Sequence, residues 1–295
     1  MKVLITGAYG LLGKKVVQQF LLDNGFEVFG IVREEVLYNN LLTVQYFVVE
    51  LTDTVALQKI LIYIKPEIII HCAANVNLTD CEKNKHYAYQ LHVNSSAVLS
   101  QSLGLKKFIY ISTDSVFDGE KGGYLENEAV NPLNNYAKTK WEGEIAVLNN
   151  FEETIVVRTN IYGNNNPIKN SLAEWAFQNL SNDISIDGFT DVIFNPVSTV
   201  QLAKALKVIS VSQFRGIINV VSNKPTSKYY FLLEMARKLK KNENLVHPVS
   251  ILKHNSEIIR PLNTSLSGDK LKKIFGLDFS LEEGLDEIIK DLIAT

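Results

Sequence analysis

Short runs of β-branched and aromatic residues recur through the first half of the chain, each followed by a longer stretch with helical periodicity. Val3-Leu4-Ile5, Val28-Phe29-Gly30-Ile31-Val32, Tyr46-Phe47-Val48-Val49, Ile68-Ile69-Ile70 and Phe108-Ile109-Tyr110-Ile111 are apolar without interruption. That is the pattern of parallel strands covered on both faces. Between them apolar residues return every three or four positions, which predicts helices over 11–22, 54–64 and 86–103. Thr52 or Asp53 suits the N-cap of the second, and Gly104 suits the residue just past the third. A further strand, Thr154-Ile155-Val156-Val157-Arg158, follows a helix that carries Tyr136 and Lys140. Alternating strands and helices predict an α/β fold: a doubly wound parallel sheet of Rossmann type, with helices on both faces.

After Asn160 the rhythm loosens. Asn164-Asn165-Asn166-Pro167 reads as a turn and 171–180 as an amphipathic helix, and 196–260 mixes short strands with helices. In the tail, Leu281, Leu285, Ile288, Ile289 and Leu292 share one helical face, with Ser280 as N-cap and Glu282-Glu283 in the first turn. The division expected is a domain over 1–160, to which 190–222 returns, and a smaller lobe formed mainly by 161–295. Within the returning segment, 201–211 and 217–221 are expected to pack on the first domain.

Composition narrows the partners. The 295 residues are 46% hydrophobic and 21% charged, with a formal net charge of -2. Such a balance gives no electrostatic footprint for nucleic acid or anionic lipid, and no apolar run is long enough to span a membrane. Cys72 and Cys81 are too few and too irregular for a disulfide framework or a metal site, and free thiols suit a reducing cytoplasm. Met1-Lys2 leads straight into a strand, so no signal peptide is expected. Oligomeric state is left open, a homodimer included.

Gly7-x-x-Gly10-x-x-Gly13 follows a predicted strand and opens a predicted helix. Glycines there allow a tight turn and close approach of backbone to a pyrophosphate at a helix N-terminus. The expected dinucleotide contacts in this turn are Gly7, Tyr9, Gly10, Leu11, Leu12 and Gly13, which makes 1–160 a dinucleotide-binding domain. Arg33 ends the second strand, where a cation suits the 2′-phosphate of NADP; Glu34 and Glu35 follow it. NADPH is therefore the preferred cofactor expected, with NAD an alternative. Glu50 and Leu51 would meet the adenine edge, and the small residues of Cys72-Ala73-Ala74 would let the cofactor lie close to backbone. His71 is adjacent to Cys72, but neighbouring strand residues face opposite ways, so a structural histidine is expected.

Tyr136 precedes Lys140 by four residues, which places phenol and ammonium on one helical face. An ammonium beside a phenol is expected to lower the tyrosine's pKa from about 10 towards neutrality, making it a proton donor or acceptor. Thr113, at the end of the fifth strand, can bond a substrate carbonyl. A hydride carrier and a proton-transferring phenol together point to carbonyl–alcohol redox chemistry.

Several segments resemble the extended short-chain dehydrogenase/reductases, and most of all the dTDP-4-dehydrorhamnose reductase family. They are His71-Cys72-Ala73-Ala74-Asn75-Val76-Asn77 with Asp80-Cys81-Glu82, then Ile111-Ser112-Thr113-Asp114-Ser115-Val116-Phe117-Asp118-Gly119. Pro132, Tyr136-Ala137-Lys138-Thr139-Lys140 and Gly143-Glu144 follow, then Arg158-Thr159-Asn160-Ile161-Tyr162-Gly163 and Arg260-Pro261-Leu262-Asn263-Thr264-Ser265-Leu266. The resemblance places the family's catalytic set on Thr113, Tyr136 and Lys140. It implies an oxidoreductase acting on a nucleotide sugar, in dTDP-rhamnose and polysaccharide biosynthesis. Thr113, Asp114, Asn160, Asn195 and Arg260 are the expected substrate contacts, Arg260 on the diphosphate. The chain departs from such reductases at Asn160-Ile161, where they often carry a tryptophan near the sugar. Two rivals share the scaffold: an epimerase or dehydratase reusing bound NAD, for which Asp114 could serve, and a cofactor-binding regulatory subunit without turnover.

Overall fold

The computed structural model describes residues 1–34, 43–165, 167–169, 171–253 and 258–294. Glu35 and Asn166 lie outside the described residues. In chain order the first elements are β1 (Lys2–Thr6), α1 (Gly13–Leu21), β2 (Glu27–Val32), β3 (Gln45–Val48), α2 (Thr54–Ile64) and β4 (Ile68–His71). Next come α3 (Leu78–Lys83), α4 (Lys85–Tyr89), a π-helical turn (Gln90–Asn94), α5 (Ser95–Ser100), β5 (Lys107–Ile111), α6 (Asn135–Asn150) and β6 (Thr154–Arg158). The remainder is β7 (Ile161–Tyr162), α7 (Leu172–Ser181), β8 (Ile186–Phe189), β9 (Ile193–Phe194), β10 (Val197–Ser198), α8 (Thr199–Ser210) and β11 (Gly216–Asn219). It closes with β12 (Thr226–Ser227), α9 (Lys228–Lys238), β13 (Val246–Val249), α10 (Asp269–Phe275) and α11 (Leu281–Ala294).

Seven strands form one sheet in the order β11-β6-β5-β4-β1-β2-β3, every pairing parallel. The period-2 alternation of strands assigns their residues to the two layers. Val3, Ile5, Ile68, Ile70, Ile155 and Val157 pack with Val16, Val17 and Phe20 of α1 and with Leu202, Leu206 and Ile209 of α8. The intervening Leu4, Ile69 and Val156 pack with Leu57 and Leu61 of α2, Leu99 of α5 and Val147 of α6. So α8 and β11, from the second half of the chain, complete the layer and the sheet built by the first. A separate core of Tyr162, Ala176, Phe194, Phe231, Leu232, Met235, Leu285 and Ile288 joins α7, α9 and α11 around β8 and β13.

Helix starts follow capping chemistry. Asp53 Oδ1 accepts the Ala56 amide at 3.0 Å, and the Ser280 hydroxyl accepts the Glu283 amide at 3.2 Å. The first helix begins two residues later than its periodicity predicts, because Leu11 and Leu12 belong to the glycine turn. The helix expected over 86–103 is also corrected. It contains the π turn and ends at Ser100, while Gly104 (φ 81) sits in the connection to β5. The break in regularity is a five-residue backbone bond, the Ser95 amide donating to Gln90 O, and beside it the Ser95 and Ser96 hydroxyls donate to the carbonyls of Leu91 and His92 at 2.5 and 2.8 Å.

Candidate active site

The carboxyl ends of the central strands border a cleft of about 720 Å³. At its floor the glycine turn folds tightly, the Gly10 amide donating to Gly7 O at 2.7 Å. Gly7 has φ +62, and a Cβ there would lie 2.9 Å from Ala73 Cα; one on Gly13 would lie 2.1 Å from Gly7 O. Only glycines permit this packing of turn against strand end, which leaves the backbone bare towards the cleft. Gly7, Tyr9, Gly10, Leu11, Leu12 and Gly13 all line it, as do Cys72, Ala73 and Ala74. The cradle therefore fits a dinucleotide.

At one end of the cleft stand Arg33, Glu34, Glu50, Leu51 and Tyr87. The Arg33 side chain is 71% exposed, 3.5 Å from Glu34, and the Tyr87 hydroxyl donates to Glu50 at 3.4 Å. Further in, Thr113, Tyr136 and Lys140 line the same cleft. Asn134 caps α6 by accepting the Ala137 amide at 3.0 Å, which sets the first turn carrying Tyr136. The Lys140 ammonium sits 3.9 Å above the Tyr110 ring centroid and is buried. Burial pulls its pKa down to about 7, against the opposing influence of Glu144.

The expectation for Tyr136 is overturned. Its pKa is raised, with burial the largest cause and Asp114 a smaller one, while a hydrogen bond with Thr113 lowers it. An attraction between phenolate and ammonium requires both charges in the same dry pocket, and the loss of hydration of each opposes that. Tyr136 is accordingly a protonated phenol at neutral pH.

Two histidines support the site from beneath. His92 Nε2 accepts the Asn75 amide at 3.0 Å and its Nδ1 contacts Thr139 Oγ1 at 2.8 Å, with its ring edge-on to Tyr136 at 5.9 Å. Burial holds it neutral, its pKa down to about 3. His71 is buried with Nδ1 2.6 Å from Thr6 Oγ1, and burial likewise keeps it neutral. The Cys72 thiol is pushed up to about 12 by burial.

Asp114 is a hub. Its Oδ1 accepts from Thr113 and Ser115 hydroxyls at 3.1 and 3.2 Å, and its Oδ2 from Asn160 Nδ2 and Thr264 Oγ1 at 2.8 and 2.5 Å. One buried carboxylate thus joins the end of β5, the end of β6 and the segment after residue 260. Behind it, Ser112 donates to Glu144, and Glu144 pairs with Arg158 through bonds of 3.0 and 2.7 Å.

Two expected substrate contacts are elsewhere. Asn195 is buried away from the cleft, its Nδ2 donating to Ser222 O and Leu266 O and its Oδ1 accepting the Leu266 amide. Its amide is fully used in fastening backbone, so it is withdrawn as a ligand contact. Arg260 lines a second cavity of about 640 Å³, which shares Leu172 with the cleft. Sequence patterning missed Tyr87, Leu91, Lys169, Ser171 and Leu172 of the cleft wall. For Ser171 and Leu172 there was a signal, the Ser-x-x-Glu capping box. Glu174 bonds the Asn165, Lys169 and Ser171 amides at 2.6–3.1 Å and holds that loop against the cleft.

Known proteins share the sequence pattern and the fold. The RmlD substrate binding domain family matches residues 1–294. The Xenopus tropicalis protein named methionine adenosyltransferase 2 subunit beta is 31% identical over 286 residues, covering 92% of this chain and 82% of its own length. A dTDP-4-dehydrorhamnose reductase from Aggregatibacter actinomycetemcomitans is 29% identical over 294 residues, covering 94% of each. The crystal structure of dTDP-4-dehydrorhamnose reductase from Bacillus anthracis, solved in complex with NADP, superposes with a TM-score of 0.84 at 25% identity, covering 100% of this chain and 99% of that one. The chain belongs to the RmlD substrate binding domain family.

Proposed function

We propose that the protein is an NADPH-dependent reductase of a 4-keto sugar carried on a nucleoside diphosphate. The observation that carries this reading is the meeting of the glycine cradle, Thr113, Tyr136 and Lys140 in a single cleft. The cofactor assignment draws on that cradle, on Arg33, and on the similar Bacillus anthracis reductase with its NADP. Bound NADPH would supply the hydride. Thr113, whose hydroxyl proton rests on Asp114, would turn that proton to the keto oxygen when substrate enters and so orient it. Tyr136, protonated at neutral pH, gives its proton to that oxygen as the carbonyl becomes an alcohol. Lys140 holds the ribose end of the cofactor beside the phenol. Arg260, in the second cavity with Trp175 and Phe189, belongs to the nucleotide end of the substrate.

Asp114 favours a reductase over a dehydratase. Each of its oxygens already accepts from two donors, so it is occupied as an anchor and not poised to deliver a proton. A cytoplasmic role in supplying sugars for polysaccharides accompanies this reading.

A second reading rests on the 31% identity to the protein named methionine adenosyltransferase 2 subunit beta. Under it the chain is a cofactor-binding subunit of an assembly, with the cleft retained for NADP. Screening 4-keto sugar nucleotides while following NADPH and NADH absorbance separates the two. Cofactor oxidation with one such sugar supports the reductase. Silence across the screen, together with co-elution with a methionine adenosyltransferase catalytic chain, supports the subunit.

A further inference from the structure

Thr113 and Tyr136 must bring their hydroxyls to one oxygen, yet they belong to separate elements. Thr113 follows β5 and Tyr136 sits in the first turn of α6, with residues 114–135 between them. The 259–264 segment, far along the chain, crosses that connection at its start, its middle and its end. At the start, the Thr264 hydroxyl donates to Asp114 Oδ2 at 2.5 Å, and Asp114 Oδ1 accepts from Thr113 at 3.1 Å. In the middle, the Asn263 amide donates to Gly119 O at 2.9 Å. The approach there is close: a Cβ on Gly119 would lie 2.5 Å from Pro261 Cβ and 2.8 Å from the Leu262 amide nitrogen. At the end, Asn134 Nδ2 donates to Ile259 O at 3.2 Å.

Asn134 carries more chemistry than a helix cap requires. Capping α6 needs only an acceptor, and Asn134 Oδ1 supplies it to the Ala137 amide at 3.0 Å. A serine or an aspartate would do the same. The amide nitrogen is surplus to the cap, and it holds the Ile259 carbonyl. Thr264 is buried, with its hydroxyl on the carboxylate that also takes the Thr113 hydroxyl. The segment between them is fastened as one piece, the Thr264 amide donating to Ile193 O at 3.0 Å and the Ile193 amide to Leu262 O at 2.7 Å. One short stretch of chain therefore holds the anchor of one hydroxyl and the cap of the turn that bears the other.

We propose that residues 259–264 form a strap that aligns Thr113 with Tyr136, with Thr264 and Asn134 as its positioning residues. The proposal rests on the reductase reading above, in which both hydroxyls meet the keto oxygen. Reacting groups tolerate little error, and misplacement by about half an ångström slows a reaction about 10-fold.

NADPH oxidation with a 4-keto sugar nucleotide, both at saturation, tests it. Asn134→Ser keeps the cap and loses the bond to Ile259, while Thr264→Val keeps the shape and loses the hydroxyl. Each is expected to lower kcat about 10-fold or more with NADPH affinity unchanged, and Thr264→Ser is expected to keep most of the rate. The two losses together are expected to fall short of their product, because both free the same strap. Full turnover by either single variant overturns the proposal. So does a loss that extends to NADPH affinity, which would make the strap a general brace.

Hydrogen exchange of the full chain without ligands gives a readout independent of turnover. Thr264→Val is expected to speed exchange of the α6 amides at 135–138 several-fold, although the lost hydroxyl bonds Asp114 and not that helix. Should the valine variant fail to fold, Asn134→Ser is expected to speed exchange across 259–264 in the same way. Unchanged exchange refutes the strap even where keto sugars are reduced. Faster exchange, with a wild type that reduces no keto sugar, sinks the reductase reading and leaves the strap standing.

Discussion

Lys140 has a folded-state pKa of about 7 against an ordinary 10.5, because its ammonium has left water for the Tyr110 ring. Between those values the unfolded chain holds a proton that the folded one lacks, so folding stability rises with pH across that window. Lys140→Met removes the dependence. The variant's advantage in urea unfolding is expected to be greatest below about pH 7 and to shrink towards about pH 10, and a pH-independent difference would show an ordinary lysine. Arg33→Asp should weaken NADPH by about 10-fold or more while sparing NADH, since only the former offers the 2′-phosphate; equal loss of both would remove Arg33 from that role. Glycines and strand-end residues of the cleft were readable from sequence because a strand assignment fixes where its last residue lies. Protonation was not readable. Spacing puts Tyr136 and Lys140 on one face, but burial of both, which only the assembled core supplies, decides their charges. Asn195 was misjudged because an asparagine in a loop looks alike whether it meets ligand or backbone.

Elements position these residues through a few buried polar ties. Glu144 of α6 joins Ser112 at the end of β5 to Arg158 at the end of β6, both charges 3% exposed or less. Removing one partner of such a pair strands the other in a dry site. Glu144→Ala is therefore expected to cost about 3–5 kcal/mol in denaturant unfolding, and a loss below about 1 kcal/mol would show Arg158 finding water or another acceptor. The strands of the first half were legible as uninterrupted apolar runs and most helices from a 3.6 pattern; the pairing of β11 beside β6 was not. The π turn at Gln90–Asn94 was not legible either, because a single five-residue backbone bond leaves no mark in the apolar spacing. That turn carries His92, which supports the Asn75 amide, and Leu91 on the cleft wall.

Across the whole molecule, the sheet gives the cofactor cleft and the lobe around α7, α9 and α11 gives the second cavity, with Leu172 common to both. The parallel sheet could be foreseen, since alternation of strands and helices admits little else. The sharing of Leu172 by the two cavities could not, because it depends on the turn before α7, where Glu174 holds the Asn165, Lys169 and Ser171 amides. The central claim is that the cleft reduces a carbonyl with Tyr136 as proton donor. It is tested most directly by NADPH oxidation with a 4-keto sugar nucleotide, comparing wild type with Tyr136→Phe at saturating cofactor. The account predicts that the phenylalanine variant binds NADPH as the wild type does and turns over about 10²–10⁴-fold more slowly, the range for loss of a general acid. Near-normal turnover by Tyr136→Phe would contradict it.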